Sequence, residues 1–246
     1  FFARAADAVI NVLYIRKLRS EMTRSLPQEE YASLRNDLIR QTVRLKNVRR
    51  CLQEQMPKQY SQFVAFLESS GFYRGDIEYI LPRLIGKPGQ KENMQEMQSL
   101  VVRLKEVGIP LFRIQQVARS VADQDNVRRA LGAFYELAGA LSAFVDAQGN
   151  FSDGFEPGDL LGAILKTTDP AASCSRLIRD KSIKETMVFN NQLFAAGIDR
   201  VAWIEAICAH FIDTADPQEN MRRFISSPAV SVYADLIRLL SLVGVT

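Results

Sequence analysis

His210 is the only histidine among 246 residues. Histidine is the side chain whose ordinary pKa best suits proton transfer at neutral pH. Cys208 stands two residues before it and Asp213 three after. On a helix, a two-residue spacing sends side chains to different faces, so Cys208 and His210 do not form a ligand pair. A histidine at the edge of a helix accounts for the residue without chemistry. The three cysteines, Cys51, Cys174 and Cys208, are odd in number and widely spaced, with no CxxC. They read as reduced core thiols of an intracellular, cytoplasmic compartment. The clustered Cys/His ligands of tetrahedral zinc do not occur in the sequence.

Residues 146–158 hold the densest set of small and acidic residues, and two chemistries can be tried on them. Asp146, Gln148 and Asn150 alternate as calcium ligands do, but Phe151 occupies the obligatory glycine position and Pro157 the position of the bidentate glutamate. Asp153, Glu156 and Asp159 cluster as paired carboxylates can, and a polar loop collects such residues without any reaction. Phosphate-cradling glycine loops of either common type are missing. The sequence therefore predicts no metal site, no cofactor and no catalytic group.

Charge supplies a different kind of candidate. The net charge is +3, but residues 1–58 carry 12 Lys/Arg against 6 Asp/Glu and the remainder 19 against 22. A basic N-terminal quarter favours an anionic partner or simply solvates long helices. Arg16, Lys17, Arg19, Arg40, Arg44, Lys46, Arg49 and Arg50 would form a phosphate-binding stripe. Few aromatic residues interleave with them, so base stacking has little support. The segment Leu104–Arg119 is similar to a helix-turn-helix: a helix, a Gly-apolar turn at Gly108-Ile109, and a second helix with Ile114 and Val117 inward. That register would expose Arg113, Gln115, Gln116 and Arg119 to bases or phosphates. Any corner between two packed helices has the same pattern.

Helices would have to position all of these groups, because sustained period-two alternation is absent. Asp169-Pro170, Asp216-Pro217 and Ser227-Pro228 each place a capping side chain before a proline at the first helical position, and Asp216 with Glu219 has capping-box spacing. Gly71-Phe72, Gly108-Ile109 and Gly197-Ile198 mark helix ends of the Schellman type. The marks predict helices near 2–24, 27–55, 57–70, 75–85, 91–107, 110–121, 124–147, 157–166, 170–180, 182–196, 199–213, 217–225 and 228–243. In the second of these, Tyr31, Leu34, Leu38, Gln41, Leu45, Val48 and Leu52 make one seam. In 124–147, Val127, Leu131, Phe134, Ala138, Leu141 and Val145 make another, with Gly132 and Gly139 placed to admit a neighbouring backbone.

The expected fold is all-α, about a dozen helices in one or two packed bundles without a sheet. The loop at 146–158 would divide an N-terminal bundle, 1–147, from a C-terminal one, 159–246, unless the two are continuous. The expected function is that of a non-enzymatic scaffold, adaptor or structural subunit, binding other protein subunits or a second copy of itself; nucleic-acid binding is the alternative. Docking would use two strongly apolar ends: Phe1, Phe2, Val9, Ile10, Leu13 and Tyr14, and then Val230, Tyr233, Leu236 and Leu240. The first run is broken by Arg4, Asp7 and Asn11 and is too short to span a bilayer. It suits a docking helix better than the tail of an upstream membrane anchor.

Overall fold

The computed structural model describes residues 56–145, 151, 156–198 and 200–242. Among them are eleven α-helices and no strand: α1 Met56–Ser69, α2 Arg74–Ile85, α3 Gln90–Glu106, α4 Leu111–Asp123, α5 Val127–Leu141, α6 Pro157–Leu165, α7 Pro170–Arg179, α8 Ile183–Ala195, α9 Val201–Ile212, α10 Pro217–Ser226 and α11 Ala229–Leu242. A 3-10 turn, Ser142–Phe144, follows α5, and one isolated bridge joins Val145 to Phe151. The protein is all-α, as the helix signals require. The expected helices at 2–24 and 27–55, with Phe1, Phe2, Val9, Leu13, Tyr14, the seam from Tyr31 and the basic residues from Arg16 to Arg50, lie outside the described residues.

The chain forms two compact units, Phe1–Gln98 and Ser99–Thr246, so the division falls inside α3. The expected boundary at 146–158 is instead an internal connection of the second unit. Helices on either side of it pack directly, α5 on α7 and α4 on α6. A loop rich in Gly, Pro and Asp says where helices stop; only contacts say where a domain does.

The first unit's described part pairs α1 with α2. Tyr60, Phe63, Val64 and Leu67 of α1 and Ile77, Ile80, Leu81 and Leu84 of α2 are buried. The Tyr73 backbone N–H donates to Asp76 Oδ2 at 3.3 Å, which satisfies one of the donors a helix start leaves open.

The second unit is built around α6. Its nine residues, Pro-Gly-Asp-Leu-Leu-Gly-Ala-Ile-Leu, are apolar on nearly every side, which is the pattern of a helix buried all round. Leu160, Leu161, Ala163 and Ile164 are fully buried, and α4, α7, α8 and α9 all pack on this helix. α5 buries Val127, Leu131, Phe134, Ala138 and Leu141 of the expected stripe, whereas Val145, its last expected member, lies beyond the end of the helix and is half-buried. Its glycines do not admit a backbone: a Cβ at Gly132 would meet nothing within 4 Å, and one at Gly139 only the Arg103 guanidinium at 3.9 Å.

Local signals in the sequence correspond to bonds. Asp169 accepts from the Ala172 N–H at 3.0 Å, Asp216 from the Glu219 N–H at 3.3 Å, and Ser227 Oγ from the Ala229 N–H at 3.2 Å. The Glu219 carboxylate binds Arg222 and, at 2.6 Å, Arg223. Gly71, Gly108 and Gly197 adopt φ of 90°, 83° and 95°, and the N–H of the apolar residue after each bonds to the carbonyl five residues back. A fourth helix end uses the same motif without glycine. Lys181 has φ 52°, and the Ser182 N–H reaches Leu177 O at 3.0 Å. A side chain with a Cβ is strained there. Lys181→Gly is therefore expected to stabilise the protein by about 0.5–1 kcal/mol, read as a raised urea midpoint; an unchanged or lowered midpoint contradicts this.

Candidate functional site

Three places in the second unit combine groups that function requires: a buried charge cluster, a groove, and an exposed apolar helix face.

The charge cluster lies where α4, α6 and α9 meet. Arg113 is 5% exposed and Glu205 5%; the Arg113 Nη2 donates to Glu205 Oε1, and Nη1 donates to Gln116 Oε1 at 2.6 Å. Lys166, at the end of α6, donates to Ala202 O at 2.9 Å and pairs with Glu205 Oε2 at 2.9 Å. The pair passes directly over the α6 backbone at Gly162, the one residue type that leaves room: a Cβ there would overlap Glu205 Oε1 and Cδ and lie 2.7 Å from Arg113 Cζ. Arg113 Nε is buried without a hydrogen-bond acceptor.

This overturns the sequence expectation for Arg113. The helix-turn-helix register put Arg113 and Gln115 on the solvent side, but both are buried, while Gln116 and Arg119 are exposed. Phe112 takes the outward position instead, 56% exposed, with the Arg113 guanidinium 5.1 Å from its ring centroid. A guanidinium held by Glu205 and walled in by α6 cannot reach a phosphate or a base edge.

Asp159 of α6 faces the same cluster. Burial first, then the nearby Glu205 carboxylate, raise its pKa above the ordinary carboxylate value, against the pull of Arg113. Two carboxylates in unlike environments are the raw material of acid–base chemistry, yet the Glu205 oxygens here are already bound by Arg113 and Lys166. The cluster reads as an internal clamp joining three helices. Because the fold raises the Asp159 pKa, its contribution to stability is complete below the ordinary carboxylate range and is lost as pH rises through the raised value. Asp159→Asn, which never ionises, is expected to melt higher than wild type at neutral pH and to lose that advantage near pH 3. Melting curves across pH 3–8 check this; a constant difference at every pH contradicts it.

The other candidates from the sequence are placed as follows. Cys174 and Cys208 are buried, and burial pushes both thiols far above their ordinary pKa, which makes them poor nucleophiles. Cys208 donates to Asn190 Oδ1. His210 is exposed on the opposite side of α9, and Asp213 accepts from Thr168, N–H at 2.9 Å and hydroxyl at 3.0 Å. Of the 146–158 loop, the residues from Asp146 to Asn150 and from Ser152 to Phe155 lie outside the described set, and the calcium expectation with them. Among the described residues no cluster of His, Cys, Asp or Glu could hold a metal ion, and no helix is long and apolar enough to cross a membrane.

The groove, about 580 Å³, runs between α8 and α10. Val188, Phe189, Met221 and Ile225 form its apolar lining, and Lys184, Glu185, Asp216 and Arg222 stand among its polar residues.

The helix face belongs to α11. Val230, Ala234 and Ile237 are buried, and α11 packs on α10. At about 100° per residue these three fall within one narrow sector of the helix. Tyr233, Leu240, Leu236, Val232 and Leu239 continue round the helix from that sector without a polar break, and Ser231, Asp235 and Arg238, with Leu242 among them, fill the remaining arc. The body buries only the first part of this long apolar arc. Val232 is 65% exposed, Tyr233 47%, Leu236 48%, Leu239 61% and Leu242 78%, while Leu240 is half-buried. Tyr233 meets Phe224 edge-on at 5.5 Å, the last step of an aromatic chain running Phe189–Phe211–Phe224–Tyr233 that ties α11 to the core. Of the expected docking residues, Val230 thus faces inward, whereas Tyr233 and Leu236 face solvent.

Comparison of the chain with protein-family models, with curated proteins and with solved structures finds no match.

Proposed function

We propose that this all-α protein is a non-enzymatic scaffold or adaptor that works by protein–protein binding, and that the outer face of α11 is its docking surface. One observation carries the reading: four large apolar side chains, Val232, Tyr233, Leu236 and Leu239, lie exposed side by side on one face of a well-anchored helix. Single exposed apolar residues are ordinary, but contiguous ones mark interfaces. The occupant that suits such a face is another apolar helical surface, laid along α11. Asp235 and Arg238, at its edge, pair with each other at 3.0 Å, so the face carries no net charge to recruit nucleic acid.

The test compares complexes formed by wild type and by Leu236→Glu/Leu239→Glu, with Arg40→Glu/Arg44→Glu as the contrast. The reading predicts protein complexes that persist to about 0.5 M salt, where exposed charges are screened, and that disappear in the α11 variant. Nucleic acid in the complexes, released by salt and lost with Arg40 and Arg44, would overturn it in favour of phosphate binding.

A further inference from the structure

We draw no further inference here: the strongest candidate, the groove of about 580 Å³ between α8 and α10, has Phe189 and Met221 sealed at its floor and both signs of charge along its rim, and nothing in the structure shows what covers it.

Discussion

Glu205→Ala is expected to cost about 3–5 kcal/mol of unfolding free energy, the value typical of removing one partner from a buried ion pair. With Glu205 gone, Arg113 remains 5% exposed with Nη2 unpaired beside an Nε that already lacks an acceptor. Lys166 suffers less, because its side chain is 40% exposed and can turn to water. A domain of this size has roughly 5–15 kcal/mol in all, so the variant should lose a large share of its stability. Trp203, the sole tryptophan, lies two residues from Glu205 on α9 and reports the loss by fluorescence in urea. The companion substitution reverses the sign. Arg113→Met with Glu205→Leu removes both charges and fills similar volume, and such exchanges are neutral or stabilising. A Glu205→Ala loss below about 1 kcal/mol would mean that water already screens the pair.

Gly162→Ala should be the second-largest effect, about 3 kcal/mol or more, since overpacking and a displaced ion pair act together. One methyl group there must move Glu205 or Arg113, and neither has room because each is held by the other and by α6. In an ordinary helix interior the same exchange is favourable by about 0.5–1 kcal/mol. Gly132→Ala in α5 supplies that contrast, because its Cβ would meet nothing within 4 Å. Opposite signs for the two glycines, from urea unfolding, are the expected result. The clash at position 162 should also shrink when Glu205 is already alanine, because the atoms it meets are gone. A double-mutant cycle measures that coupling, and simple additivity would contradict the geometry.

Much of the fold was legible because its signals are local. Asp169, Asp216 and Ser227 before proline start helices, for each side chain satisfies an N–H two or three residues on and needs nothing distant. The Gly-apolar pairs end helices by the same short-range logic. Lys181 ends one too, but lysine carries no left-handed signature, so that motif was invisible until the backbone was seen. The candidate site was less legible. The sequence located apolar α11 as a docking element, but it could not say which sector the body would bury. Val230 and Tyr233 are equivalent as letters and opposite in exposure.

Arg113 marks the limit most clearly. A charged residue in an amphipathic helix is placed in solvent by default, because burying it alone is costly. Its partner stands 92 residues away on α9, and no local pattern announces so distant a pair. By itself, then, the sequence determined what is written in short-range bonds and apolar periodicity: helices, their caps, their ends, and an all-α class. Tertiary structure alone decided which faces met, that Arg113 and Glu205 would be sealed over Gly162, and that part of α11 would be left uncovered, because those outcomes depend on contacts between segments far apart in the chain.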